Sequence, residues 1–90
     1  MRFLVKVKVN VLKMAEFGKK LQNNELDRSL IKSETYCLKA DPAVGYSIWE
    51  AESREEFDTK FKPWSEYYSE TEISEVISPM ESMTLLASKA

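Results

Sequence analysis

Two side chains in one short segment of this sequence could transfer a proton. Tyr46 and Glu50 lie in the segment 45–50, Gly-Tyr-Ser-Ile-Trp-Glu, whose aromatic and β-branched residues are typical of a β-strand. Residues at even spacing share one face of a strand, so both side chains point to the same side. Removal from water beside an aromatic ring favours the protonated form of a carboxyl group, which suits it to general acid or base catalysis. The segment therefore offers Glu50 and Tyr46 as candidate catalytic residues of a proton-shuttling isomerase.

The same strand can also be oriented the other way. Ser47, Trp49 and Ala51 would then face the helices or a cavity, and Glu50 would lie in solvent or pair with a lysine. The sequence alone leaves both orientations open.

Polar residues near the N-terminus are candidates for ligand binding. Lys6 and Lys8 share one face of the first predicted strand, where two ammonium groups could hold the carboxylate of a substrate. The alternative is that they are solvated or form salt bridges. Asn10 follows this strand, and its side chain either contacts a ligand or caps the next helix.

Aromatic side chains could line a pocket for a flat organic ligand. Tyr36, Trp64 and Tyr67 are candidates, because their rings can pack on the ligand while the hydroxyl groups orient it. The cluster from Trp64 to Tyr68 follows Pro63 at the end of a predicted helix, which suits a pocket rim or a dimer contact. Packing in the core or at a dimer interface would account for the same rings without any ligand.

The chain lacks the residues that metal and cofactor sites need. It has one cysteine, Cys37, and no histidine, so an internal disulfide and the usual zinc and haem ligand sets are excluded. Gly18 and Gly45 stand alone, and no Gly-rich phosphate loop is present. We expect no metal and no cofactor, and we predict that Cys37 is a buried, apolar thiol.

The charges are divided between the two halves of the chain. Residues 1–40 contain nine Lys or Arg and four acidic residues, whereas residues 41–90 contain four and eleven. The basic residues are scattered singly, so we predict a mixed surface and no nucleic-acid binding. No apolar run approaches the roughly 18 residues of a membrane span, and no signal peptide follows Met1. We expect a cytoplasmic protein without membrane association.

Hydrophobic periodicity predicts four strands and two helices in a single domain, residues 1–90. Residues 3–9 alternate between apolar and other side chains, which indicates a half-buried strand. Ser53 and Glu56 form a capping box that starts the second helix. The predicted strands are residues 3–9, residues 35–39, the strand that contains Tyr46 and Glu50, and residues 72–78; the helices are residues 11–22 and the segment after Ser53; residues 81–90 are helix or strand.

This β-α-β-β-α-β order predicts an α+β, ferredoxin-like fold, with an antiparallel sheet and both helices on one of its faces. The other face is then uncovered. Side chains there such as Leu4, Tyr36 and Tyr46 are costly to leave in water, and so short a chain has a thin stability margin. We predict a homodimer that packs through the open sheet face.

Three segments resemble a known superfamily, namely Gly45 to Phe57, the Lys62-Pro63-Trp64 step and the strand from Ile73 to Pro79. They look like the dimeric α/β-barrel superfamily, which includes muconolactone-isomerase-like and antibiotic-biosynthesis-monooxygenase-like proteins. A Phe-rich first strand, a Trp-containing second helix and a last strand ending Ile-Ser-Pro are similar to an uncharacterised group of small prokaryotic proteins.

The resemblance implies two ferredoxin-like subunits that share a barrel, each with a small-molecule cavity between the sheet and its helices or loops. Monooxygenases of this superfamily use an Asn near the end of strand one together with a Trp, and Asn10 and Trp64 fall in similar places. The histidine of the haem-degrading type is missing, which argues against haem degradation.

Two functions follow from these residues and the resemblance. The first is a cofactor-independent enzyme of the isomerase or monooxygenase type, acting on a small organic acid or aromatic compound. The second is a non-catalytic homodimeric module that binds a small ligand or a protein.

Overall fold

The structure is a computed structural model that describes residues 1–89, which form one four-stranded sheet and three α-helices. A single 3₁₀ turn, Val11–Lys13, precedes the first helix. The strands are β1 (Arg2–Val9), β2 (Tyr36–Cys37), β3 (Val44–Glu50) and β4 (Tyr68–Val76), and the helices are α1 (Met14–Gln22), α2 (Arg54–Ser65) and α3 (Pro79–Lys89).

The sheet has the strand order β2-β3-β1-β4, with β1 antiparallel to both β3 and β4. β2 and β3 pair as an antiparallel hairpin, as part of the predicted antiparallel sheet. This order confirms the ferredoxin-like α+β fold.

One face of the sheet carries the hydrophobic core. Phe3 and Trp49 are paired across β1 and β3, and both are almost fully buried. The apolar side of α2 packs on Phe3 and Trp49. The ring centroid of Phe57, on this side of α2, lies 4.6 Å from that of Phe3. Phe61 and Trp64 of the same helix are also buried, as the helical spacing indicates.

Two predicted helix caps are present. The Asn10 side chain accepts a hydrogen bond from the Leu12 amide at 3.0 Å, and Ser53 Oγ accepts one from the Glu56 amide at 3.1 Å. α1 ends at the predicted position, where Asn24 adopts a left-handed φ of 53° that asparagine tolerates better than most residues.

The boundaries of two strands differ from the predictions. β4 begins at Tyr68, four residues before the predicted start at Glu72. It is an edge strand with mostly exposed polar side chains, so its first residues show no apolar alternation that would predict a strand. β2 has only two residues instead of the five of residues 35–39. Residues 23–35 between α1 and β2 contain no further helix, although Leu26 in this segment is buried in the core.

The C-terminal segment forms the helix α3. This helix begins at Pro79, where the sequence pattern indicates the end of a strand. Ser78 Oγ accepts a hydrogen bond from the Glu81 amide at 3.1 Å, so Ser78 and Glu81 repeat the pattern of the Ser53 cap. None of the residues that the structure describes in α3 is buried, and Met80, Met83 and Leu86 are each more than 60% exposed. No helix within residues 1–89 is long and apolar enough to cross a membrane.

Candidate functional site

The structure decides between the two orientations of β3. Trp49 is buried on the helix-covered face, and Ser47 pairs with the buried Val5 on that same face. Tyr46 and Glu50 therefore lie on the open face, opposite Lys6 and Arg2 of β1.

Glu50 lies in an ion pair at the end of the sheet. Its Oε1 accepts hydrogen bonds from Arg2 Nε at 2.9 Å and Arg2 Nη2 at 2.8 Å. Its side chain is 38% exposed, at the edge of an open depression that Met1 and Ala51 also line. Within a single subunit, Glu50 is thus partly exposed and paired with Arg2.

Three of the predicted binding residues lie away from any shared pocket. Lys6 lies on the open face beside Glu72 of β4. Tyr36 is 68% exposed and donates a hydrogen bond to Glu34 at 2.9 Å. Asn10 acts as the helix cap described above.

Tyr67 belongs to the core of the subunit. Its ring stacks on Phe17 at a centroid distance of 5.0 Å, and its side chain is almost fully buried. Burial raises the pKa of Tyr67 to about 12, and the carboxylates of Glu66 and Glu16 act in the same direction. This environment accounts for Tyr67 through packing.

A cavity of about 570 Å³ lies between the helix-covered face of the sheet, α1, α2 and the segment 28–37. Trp64 is the predicted site residue that lines it, together with Trp49 and Phe61. Both indole N–H groups are already satisfied, since Trp49 donates to Ser47 Oγ at 3.0 Å and Trp64 donates to the Asp27 carbonyl at 3.1 Å. The rings therefore present apolar surface, and the rest of the wall is mainly aliphatic, with Val5, Val7, Val9, Leu21, Ile31 and Ala43.

Polar side chains also line this cavity, among them Ser33, Thr35 and Ser47. The Tyr68 side chain lines it as well, and its hydroxyl makes no hydrogen bond within residues 1–89 and is accessible to solvent. Burial raises the pKa of Tyr68, and the nearby Cys37 adds to this, so the phenol is protonated at neutral pH. Cys37 itself is exposed, which corrects the prediction of a buried thiol, because its strand β2 lies at the edge of the sheet. Cys37 also lines the cavity.

The segment that closes one side of the cavity is fixed to the sheet and to α2. The Glu50 amide donates to the Leu30 carbonyl at 2.8 Å, and the Lys32 amide donates to the Ile48 carbonyl at 2.9 Å. Lys60 of α2 forms a 2.6 Å ion pair with Asp27. The hydrogen bond from Lys60 holds the pKa of Asp27 well below its usual range.

Arg28 follows Asp27 in this segment and lines the cavity. No ion pair in the part of the chain that the structure describes involves its guanidinium group. No sequence pattern distinguishes Arg28, because it is one of several scattered basic residues and its position depends on the tertiary contacts of a loop. Tyr68 belongs to the aromatic cluster from Trp64 to Tyr68, which the sequence analysis considers for a pocket. The direction of its side chain, however, depends on the residue at which β4 begins.

Among the described residues, no cluster of three His, Cys, Asp or Glu side chains has an arrangement that could hold a metal ion.

Comparison with known proteins gives one structural likeness. No protein-family model matches the sequence, and no curated protein matches it. The fold is similar to that of 5-chloro-2-hydroxyhydroquinone dehydrochlorinase (TftG) from Burkholderia phenoliruptrix, solved in complex with 2,5-dihydroxybenzoquinone. The TM-score is 0.54 with 17% sequence identity, over 90% of this chain and 98% of that chain. At this identity the likeness supports the ferredoxin-like fold alone.

Proposed function

We propose that this protein binds a small, flat, largely apolar organic molecule in the cavity beneath the segment 28–37. The observation that carries the proposal is the cavity wall, in which Trp49, Phe61 and Trp64 present apolar rings. A volume of about 570 Å³ lies within the range of roughly 300–1,000 Å³ that is usual for small-molecule sites.

The polar groups of the cavity would orient such a ligand. The Tyr68 hydroxyl makes no hydrogen bond within residues 1–89 and remains protonated at neutral pH, so it can donate to a ligand oxygen. The complex of TftG with 2,5-dihydroxybenzoquinone shows that a protein of similar fold binds a flat oxygenated ring. This likeness supports the ligand class without assigning the ligand.

An enzyme of the isomerase or monooxygenase type is the second candidate. It is supported by the similar fold of TftG, which is an enzyme, a dehydrochlorinase. Tyr46 and Glu50 do not line the cavity, so catalysis there would need other groups. Turnover of an aromatic acid that the Glu50→Gln variant abolishes would instead support a reaction at the open face and count against a purely binding role.

Binding of a neutral, flat probe tests the proposal. We expect isothermal titration calorimetry to detect naphthamide binding to the wild-type protein. Gly45→Leu should weaken this binding at least tenfold, because Gly45 lines the cavity and a leucine side chain there would fill part of its volume. An added Cβ would lie 3.5 Å from Cys37 Sγ, which is ordinary van der Waals contact.

The matched control is Gly18→Leu on the exposed side of α1, where nothing lies within 4 Å of an added Cβ. It should leave the affinity unchanged. If Gly45→Leu melts below wild type, Ala43→Leu provides a second filling variant. Naphthamide that binds the folded filling variants as tightly as wild type would contradict the proposal.

We also propose that two copies of the chain pack through their open sheet faces. Leu4 and Ile48 pair at the centre of this face, where Tyr46 lies beside them, and no element of residues 1–89 buries these side chains. The face also carries Lys6 and Glu72 in register, so a two-fold arrangement can bring opposite charges together.

A further inference from the structure

The cavity has one positively charged side chain in its lining, Arg28, and this group bears on the chemistry of the ligand. Arg28 is exposed, so water solvates its guanidinium group in the free protein, and a ligand in the cavity can replace this water with an anionic group. A ligand can use the guanidinium group only where no carboxylate of the chain already pairs with it.

The neighbouring acidic side chains have other partners. Asp27 pairs with Lys60 at 2.6 Å and also accepts a hydrogen bond from the Ser29 amide at 2.8 Å. Glu25 pairs with Lys20 at 3.4 Å. Glu34, which also lines the cavity, accepts the Tyr36 hydroxyl at 2.9 Å. Asp27 and Glu25 thus have cationic partners and Glu34 has a hydroxyl partner, and none of the three forms an ion pair with Arg28 within residues 1–89.

The backbone of Arg28 is held in place. Its carbonyl accepts a hydrogen bond from the Ile31 amide at 3.0 Å, and the carbonyl of the preceding Asp27 accepts one from the Trp64 indole at 3.1 Å. The guanidinium group therefore extends from a fixed point at the cavity. A planar guanidinium matches a carboxylate or an ionised acidic enol through two parallel hydrogen bonds.

We infer that the natural ligand is an organic anion, with an apolar ring in the cavity and its negative group on Arg28. This inference rests on the proposed function of the cavity and specifies the class of ligand. The aromatic walls bind the ring, and Arg28 selects an ionised carboxylate or acidic hydroxyl over a neutral analogue.

Naphthoate and naphthamide test this inference, because they have the same ring system and differ in charge. Calorimetry should show that wild-type protein binds naphthoate at least tenfold more tightly than naphthamide. Arg28→Gln should abolish this preference, because it should weaken naphthoate binding far more than naphthamide binding. Arg28→Lys should recover part of it, since an ammonium group keeps the charge without the bidentate geometry.

Lys62→Gln is the control for net charge, because Lys62 is exposed on α2 and does not line the cavity. It should keep the full preference for naphthoate. Equal binding of the two probes, or a preference that survives Arg28→Gln, would overturn the anion inference while the cavity proposal stands. Binding of neither probe to wild-type protein would overturn both.

Discussion

At the scale of single residues, side-chain contacts decide which polar groups can meet a ligand. Glu50 and Asp27 are both carboxylates with a cationic partner, yet Glu50 lies at the edge of an open depression and Asp27 fixes the segment that borders the cavity. The Asp27 pair therefore supports the site indirectly, through the position of Arg28. Asp27 and Lys60 are both exposed, so their ion pair contributes little to stability at neutral pH. We expect the effect of the pair mainly in the way that stability depends on pH.

The Asp27→Asn variant tests this role. The pKa of Asp27 is lowered in the folded protein by the Lys60 hydrogen bond, relative to an ordinary value of 3.8. The carboxylate thus stabilises the fold above that value, and the stabilisation is lost as the pH falls through the lower folded pKa. Melting temperatures between about pH 5 and pH 2 should fall less steeply for Asp27→Asn than for wild type.

Glu55→Gln provides the control for this measurement, since Glu55 is exposed in the first turn of α2 and makes no ion pair within residues 1–89. It should keep the steep acid dependence of wild type. Equal slopes for wild type and Asp27→Asn would show that the pair contributes nothing to acid stability.

At the scale of elements, the sequence predicts best where a local pattern and tertiary packing agree. β1 and α2 were predicted because their apolar residues recur at the spacing of the elements they form, and the Ser53 cap marks where α2 begins. β4 lacks such a pattern at its polar start, and the Ser78 cap lies in a segment whose residues are typical of a strand end.

The candidate site was harder to predict than the fold. Trp64 lines the cavity as the aromatic pattern suggested, whereas Tyr67, one residue from Tyr68, turns into the core. Arg28 lies in a loop, where no periodicity relates sequence to side-chain direction. Its role depends on the tertiary contacts of Asp27 and Ile31, which the sequence does not specify.

Gly18 offers a test of α1 as an element. It lies in the middle of this helix and an added Cβ would meet no atom within 4 Å. Gly18→Ala should therefore raise the free energy of unfolding by about 0.5–1 kcal/mol, because alanine loses less backbone entropy in a helix. Chemical denaturation measures this change, and an unchanged or lower stability would indicate that another surface covers this side of α1.

At the scale of the whole molecule, the subunit has one well-covered sheet face and one that is not. The cavity lies on the covered face, and the open face holds Leu4, Ile48 and Tyr46 in partly exposed positions. These two surfaces separate the proposed functions, ligand binding on one side and self-association on the other.

Light scattering coupled to size-exclusion chromatography tests the self-association. Wild-type protein should elute with twice the monomer mass, and Ile48→Glu should elute as a monomer, because two charges would be buried across the two-fold axis. Lys62→Glu on α2 is the matched control and should remain dimeric. A monomeric wild type, or a dimer that persists in folded Ile48→Glu, would contradict the proposed interface.

The central claim is that the cavity beneath the segment 28–37 is the ligand site, and a crystal structure of the protein soaked with naphthoate tests it most directly. We predict that the ring lies against Trp49, Phe61 and Trp64 and that the carboxylate lies on Arg28. Naphthoate bound instead on the open sheet face or beside Glu50, with the cavity empty, would contradict the account.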